Sequence, residues 1–390
     1  FLVKKSYNTF RLVIDLRSTN QLIHDNIFLP GTIQEFVQKA ANIRPRFFSS
    51  FDLNSAFLQI SVRECDRHLL SFTVDGSTYS FNRLPFGLKV SNSFMCKAIN
   101  TVIESEELLS KYVLFYIDDL LVLTPTIELH LQVLELLFKT LIKVSFHLSC
   151  EKTVLVAEET VFIGHKFSRA GCSPDPRKLK VFENISVPQS KKQLKSVLGL
   201  FAFYRQYLQG FAQKAAILHS LANSKSNFVW EPKHDQAFQD LKQGMCSLPV
   251  LSYPDESKDA GEFVLTCDAS QLAIGGTFSQ INKETGAQQL ISAFGRSLHP
   301  HETRYHCNEL EVLSIIVGIQ KFKHLIFGKK LLILTDNITA RYLKSLSTAS
   351  SSRLQRWSVY LSDVIHSDLV TFKHIAGQSN KVADVISRFD

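Results

Sequence analysis

Residues 111–124 read KYVLFYIDDLLVLT, and this stretch restricts the fold more than any other in the chain. Two apolar runs, Val113–Ile117 and Leu120–Leu123, bracket the adjacent aspartates Asp118 and Asp119. Runs this short around two residues predict a β-hairpin with the aspartates at its tip. A two-residue hairpin turn favours glycine, because its central residues need positive φ. No glycine is present, and neighbouring carboxylates repel each other unless a cation lies between them. Asp tolerates turns, so one reading is a plain polar tip. The other is a metal site, because local inconsistency of this kind is expected where function demands it. The stretch alone leaves both open.

A chain of 390 residues exceeds one ordinary core and predicts two or three domains. Hydrophobic residues make up 45%, with 30 Phe, which excludes a disordered chain. Lys and Arg number 44 against 36 acids, a net charge of +8. That excess is compatible with a nucleic-acid partner without requiring one. Seven cysteines are dispersed singly with no CxxC, which reads as free thiols in a reducing compartment. No apolar run reaches membrane-spanning length, so no membrane partner is expected. The first residues lie inside a strand pattern without a signal segment, and the expectation is a piece of a longer polypeptide.

Strand patterns fall at Phe10–Leu16, Phe47–Leu53 and Val161–Gly171. Ser71–Arg83 predicts a hairpin around Asp75-Gly76, and Leu84–Leu88 (LPFGL) a turn followed by helix. Ile127–Val144 has Leu131, Leu134, Leu137, Phe138 and Leu141 at helical spacing. Pro174, Pro176 and Pro188 then punctuate a connecting region. Ser190 and Gln193 form a capping-box pattern that opens a helix over Lys191–Gln209, with Leu194, Val197, Leu198, Phe201 and Leu208 inward. Its Lys191, Lys192, Lys195 and Arg205 read as a solvated face or as phosphate contacts. From about Glu262 onward, strands and helices alternate as in a mixed α/β domain.

Asp52 ends the strand FFSSFDL. If it joins Asp118 and Asp119, three carboxylates at strand ends need cations to stay ionised together. Two Mg²⁺ ions would meet that need and would clamp an in-line phosphoryl transfer. FDLNSAF, LPFGL and YIDD, in this order and spacing, resemble reverse transcriptases. EETVFIGHKFSRAGCSPDPRKLK and SVLGLFAFYRQYL resemble the gypsy-type branch of long-terminal-repeat retrotransposon Pol. The resemblance implies a right-hand polymerase of fingers, palm and thumb followed by a ribonuclease H-like domain, a multidomain α/β and α+β chain. The implied bounds are 1–166 for the incomplete fingers and palm, 167–260 for the thumb and connection, and 261–390 for the last domain. It implies that Asp52, Asp118 and Asp119 bind Mg²⁺, with Mn²⁺ as the alternative. Lys5 and Arg11 would meet the incoming triphosphate. Phe57 would exclude a ribose 2′-OH, Phe86 and Gly87 would form a turn near the template–primer, and Tyr116 and Ile117 would lie beside the primer terminus. One departure stands out: where the family has a threonine–asparagine–alanine–proline run, this chain has Lys89–Ser93 (KVSNS).

Asp268, Glu311, Asp336 and Asp384 fall on a strand end, a helix, a strand end and a helix. Singly, each reads as a cap or a solvated charge. Together, TCDAS, NELEVLSIIVGI, TDNITARYL and GQSNKVADVISR resemble the ribonuclease H domain of the same branch. That resemblance implies a second two-metal site acting on the RNA strand of an RNA–DNA hybrid. It favours Glu311 over Glu309, and it offers His374 as a proton-transfer residue, against the plainer reading of a strand-end histidine. The cluster His299, His301, His306 and Cys307 has irregular spacing for zinc and reads as a surface loop.

The expected activity is RNA- and DNA-directed DNA polymerisation with ribonuclease H. The expected partners are an RNA template, a DNA primer, an RNA–DNA hybrid and deoxynucleoside triphosphates, with a second Pol fragment or a homodimer as an open option. The expected location is a cytoplasmic virus-like particle with access to the nucleus and to DNA integration. The competing reading is a degenerate or co-opted, non-catalytic nucleic-acid-binding protein, motivated by KVSNS and the incomplete fingers.

Overall fold

The computed structural model describes residues 2–374 except 7, 8, 26, 258, 337–351, 366 and 367. Two compact units divide the chain after Arg169.

The first unit opens with a hairpin, β1 (Leu2–Ser6) and β2 (Thr9–Leu12), followed by helices α1 (Arg17–Leu22) and α2 (Ile33–Ile43). A capping box starts α2: Thr32 accepts from the Glu35 backbone N–H, and Glu35 accepts from that of Thr32. Strand β3 (Phe47–Asp52) is central. The hairpin β4 (Ser71–Val74) and β5 (Ser77–Ser80) follows, and both turn residues, Asp75 and Gly76, have positive φ as the sequence predicts. Helices α3 (Ser91–Glu104) and α4 (Glu107–Tyr112) lead to β6 (Val113–Tyr116) and β7 (Asp119–Thr124). After α5 (Ile127–Lys143) come β8 (Val154–Ala157), β9 (Glu159–Phe162) and β10 (His165–Ser168). Four strands form one sheet in the order β6-β7-β3-β8, and β9 and β10 pair as a separate hairpin.

Phe51, Met95, Ile99, Leu109, Val113, Leu120, Val122, Leu134 and Leu137 fill the core between that sheet and its helices. The apolar stripe of α5 sits slightly differently from its predicted place. Leu131 is 55% exposed, and the adjacent His130 is buried instead. The sheet supplies the reason: His130 Nε2 bonds Ser49 Oγ at 2.7 Å, and Nδ1 bonds Thr124 Oγ1 at 2.8 Å. A histidine with both nitrogens satisfied can be buried, and burial lowers its pKa.

The KVSNS segment does form the start of a helix. Helix α3 begins at Ser91, whose hydroxyl donates to Pro85 O at 3.2 Å. Asn20 ties the preceding turn with both ends of its amide. Its Nδ2 donates to Gly87 O, and its Oδ1 accepts from Lys89 N, both at 2.9 Å. Lys89 Nζ pairs with Asp25 at 2.8 Å, and Ser93 Oγ accepts from Phe28 N. Several side-chain contacts thus fix a helix entry that lacks proline.

The second unit starts with β11 (Gly171–Pro174) and a helical layer, α6 (Pro176–Glu183), α7 (Lys191–Phe203), α8 (Phe211–Asn223) and α9 (Pro232–Cys246). Phe182, Leu194, Leu198, Phe201, Phe238, Leu241 and Met245 form its core. Helix α7 ends six residues before its predicted limit, and a single 3₁₀ turn over Arg205–Tyr207 follows. Ser190 accepts from Gln193 N, but the Gln193 carbonyl reaches Gln189 N rather than Ser190 N, so the box is only half closed.

Strands β12 (Phe263–Ala269), β13 (Ala273–Ile281) and β14 (Gln288–Ser297) form an antiparallel meander. Helix α10 (Cys307–Ile326), β15 (Leu331–Thr335), α11 (Ser352–Ile365) and β16 (Val370–His374) complete the described part. The sheet order is β14-β13-β12-β15-β16, with β12, β15 and β16 parallel. Gly276 in β13 is required by close packing, because a Cβ there would meet Thr266 O and the Phe294 ring. His299 and His301 stack on each other, His306 caps α10, and Cys307 is the first residue of that helix rather than part of a loop. All seven cysteines are free thiols. Among the described residues no helix is long and apolar enough to cross a membrane.

Candidate active sites

The hairpin is present, with its turn one residue earlier than predicted. Ile117 and Asp118 form the turn, while Asp119 opens β7 opposite Tyr116. Ile117 has φ of 57°, a conformation β-branched residues rarely adopt. Leu53 N donates to Asp118 O at 3.0 Å, tying the turn to the end of β3. The β3–β7 register sets Asp52 directly opposite Asp119. Sheet pairing therefore brings together carboxylates 67 residues apart in sequence.

The electrostatics follow from this register. Burial, then Asp118, then Asp52 push the Asp119 carboxyl up to about 6, and Lys152 opposes them. Lys152 Nζ lies 2.8 Å from Asp52 Oδ2. Sequence reading missed this lysine, and no motif in its loop marks it. It comes within reach because Ser149 N donates to Asp52 O at 2.8 Å, which draws the loop against the strand end. Beneath the turn, Cys96 of α3 is fully buried and is hydrogen-bonded to the Ile117 backbone.

Asp52, Asp118 and Lys152 line a cavity of about 580 Å³ together with Phe57 and Phe86. The two rings meet edge to face, 5.3 Å between centroids. Gly87, at φ of 99°, makes the turn that presents Phe86. Asp119 lines a second recess, which Asp52 and Lys152 also border. Tyr116 ends β6 beside the turn. Arg11 pairs with Val3 in the β1–β2 hairpin, and Lys5 lies in β1; both side chains lie outside the described residues. Phe10, which was not anticipated, lines the cavity.

In the second unit, three parallel strands end together. Thr266 pairs with Leu334, so the same offset sets Asp268 level with Asp336. His374 pairs with Thr335, one residue from Asp336. Helix α10 brings Glu311 to these acids: burial, then Asp336, then Asp268 push its carboxyl up to about 8. Among the described residues its Oε2 is buried without a hydrogen-bond partner. The Asp268 carboxyl is also raised, by burial and then by Asp336. Glu309 is otherwise engaged: it accepts from His306 N in a capping box and pairs with Arg353 at 2.8 Å. Asp384 lies outside the described residues.

Both groups offer hard oxygen donors only, the set that suits Mg²⁺, Mn²⁺ or Ca²⁺ rather than a soft metal. Among the described residues a Glu311 oxygen is buried without a hydrogen-bond partner, and burial, then like charge, raises the Asp119 and Glu311 carboxyls, which fits a cation at each place. The side chains are neighbours without being gathered as ligands: among the described residues no three His, Cys, Asp or Glu form a set that could hold an ion.

Comparison with known proteins gives a consistent result. Residues 3–167 match the family described as "Reverse transcriptase (RNA-dependent DNA polymerase)", and residues 230–333 match "RNase H-like domain found in reverse transcriptase". The chain is 30% identical to the Retrovirus-related Pol polyprotein from transposon 297 of Drosophila melanogaster, over 98% of this chain and 34% of that protein. It is 32% identical to that from transposon 412 of the same species, over 97% and 30%. It thus spans about a third of the length of these curated relatives. Among solved structures, it resembles the foamy viral protease-reverse transcriptase in complex with dsDNA, with a TM-score of 0.77 at 22% identity, over 96% of this chain and 77% of that one. The same enzyme in complex with RNA/DNA hybrid gives 0.71 at 22% identity, over 96% and 50%. At this identity the likeness shows the fold.

Proposed function

The chain belongs to the reverse transcriptases, in the branch of long-terminal-repeat retrotransposon Pol polyproteins, and from that membership we propose that it extends a DNA primer on RNA or DNA templates and cuts the RNA strand of RNA–DNA hybrids. The observation that carries this reading is the register Asp52 opposite Asp119, with Asp118 in the adjoining turn and a cavity in front.

In the first unit, Asp52, Asp118 and Asp119 would hold divalent metal, and in the second Asp268, Glu311 and Asp336, with Asp384. When bound, Mg²⁺ supplies charge neutralisation for phosphoryl transfer. The remaining work falls to the protein. The cavity takes the incoming deoxynucleoside triphosphate, with Lys5 and Arg11 on its phosphates. The Phe57 ring, held edge-on by Phe86, takes the space a ribose 2′-OH would need. Tyr116 lies beside the primer terminus, whose 3′-oxygen bonds the α-phosphorus as pyrophosphate leaves. Lys152 keeps Asp52 oriented toward the cavity through its 2.8 Å ion pair. In the second unit His374, whose strand partner Thr335 precedes Asp336, would move a proton. The template, the primer and the hybrid are the nucleic-acid partners of this reading.

The non-catalytic alternative rests on KVSNS and on the incomplete fingers, and the structure bears on the first. Helix α3 is formed there and packs Cys96 under the turn, which supports the catalytic reading. Primer extension on an RNA template with Mg²⁺ tests it. Wild type extends, and Asp118→Asn loses more than the about 10–100-fold that removal of an outer-shell partner costs. Equal extension by both would refute the assignment.

A further inference from the structure

A second cluster of charge, away from both acid groups, is lined by residues of four elements in the second unit: the 3₁₀ turn, α8, β14 and α10. A cavity of about 220 Å³ is bounded by Arg205, Phe211, Phe294, Arg296, Val317 and Lys321, with Ala293 and Gly295 between them. It is smaller than the about 300–1,000 Å³ pockets that enclose drug-sized ligands. Three cations line it and no acid does. Arg296 is neutralised from outside by Glu302, which takes its guanidinium at 2.8 Å. Arg205 and Lys321 face each other as like charges. Burial, and then the Arg205 charge, push the Lys321 ammonium down to about 8. The acceptor that ammonium finds is a neutral one, Ala293 O at 3.3 Å, and it also stands 5.2 Å above the Phe322 ring.

A partly buried ammonium beside a guanidinium is relieved by loss of its proton or by an anion placed between the two. The surroundings are suited to one. Phe211 is the first residue of α8, and its N-cap is Gly210, which brings no side-chain acceptor to the positive end of the helix. The backbone is kept close at Gly295, where a Cβ would press on Ile274 O at 2.9 Å. The arginine offers planar paired donors and the lysine a point charge, the combination that phosphate oxygens accept.

We propose that Arg205 and Lys321 form a binding site for a phosphate group, distinct from both acid clusters. Two sources share this chemistry: a backbone phosphate of bound nucleic acid and a free phosphate. The α10 spacing sets the scale, because Lys321 lies ten residues from Glu311, about 15 Å along the helix at 1.5 Å per residue. A duplex strand carries one phosphate per about 3.4 Å of helix axis, so a few nucleotides of one strand cover that distance.

Thermal unfolding of the whole chain tests the proposal, with inorganic phosphate exchanged for chloride at constant ionic strength. Wild type should gain a few degrees in its melting midpoint. Lys321→Met and Arg205→Gln should each lose that gain; using two substitutions guards against one that fails to fold. No gain in wild type, or a gain retained by both variants, overturns the proposal. A second measurement separates the sources. If a backbone phosphate occupies the site, binding of a short RNA–DNA hybrid should show a log–log salt slope lower by about one in Arg205→Gln. An unchanged slope, with the phosphate effect intact in wild type, assigns the site to free phosphate. The readouts need no catalysis, so failure of the activity reading leaves this result interpretable.

Discussion

Glu311 shows how a single residue gains its chemistry from its neighbours. Its carboxyl rises from an ordinary 4.5 to about 8 because it is buried beside Asp336 and Asp268. The folded chain therefore holds a proton that the unfolded chain releases, and stability falls as pH rises from about 4.5 to about 8. Asp119 adds the same slope between 3.8 and about 6. In chelator, the melting midpoint of wild type should drop across pH 5 to 8. Glu311→Gln should drop less, and at pH 8 it should be the more stable by about 1–3 kcal/mol. Parallel pH curves for the two would contradict a buried carboxyl. Added Mg²⁺ should stabilise wild type most at high pH, because metal binding displaces the proton. Glu311 was identifiable in sequence by the apolar run that follows it. The engagement of Glu309 by Arg353, which removes the nearest competitor, joins residues 44 apart and has no local signature. Lys152 is a similar case, since its role depends on a loop drawn against Asp52 100 residues away.

At the scale of elements, the entry to α3 shows where a local rule is replaced by tertiary contacts. The segment lacks proline, and Val90 brings no side-chain cap. Asn20, in α1, closes the turn through both amide atoms instead. Asn20→Ala removes two hydrogen bonds and should cost about 1–3 kcal/mol in urea unfolding. It should also raise the KM for nucleotide more than it lowers kcat, because Gly87 and Phe86 lie on the released turn and Phe86 lines the cavity. A silent substitution would show that the turn holds itself. The hairpin is a second case: its existence was legible from two short apolar runs, while its register was not. The turn falls on Ile117 and Asp118, at a φ unusual for isoleucine, because pairing with β3 and the bond from Leu53 N fix the frame of β7. That strain of about 1–3 kcal/mol is borne by the surrounding contacts.

At the scale of the molecule, two units each carry one acid group. Separate sites predict separable activities. Asp118→Asn should abolish primer extension and leave hybrid cleavage within about twofold, whereas Asp336→Asn should do the reverse. These residues lie in different cores, so their effects should be independent. Loss of both activities in either variant would mean that one site serves both reactions. Any hybrid binding of the kind proposed weakens with salt, so both assays belong at one ionic strength.

The sequence by itself determined that acids recur at strand ends and on a helix in two separate regions, and which family such an order resembles. It did so because strand and helix periodicity, turn residues and motif order are local properties of the chain. Tertiary structure alone decided the register that puts the grouped carboxylates in one field, the pairing of Glu309 with Arg353, and that Lys152 joins the first group. It also brought Arg205 to Lys321. Each of these depends on sheet register or on helices packed from distant segments, where a shift of one residue would turn the side chain to the other face.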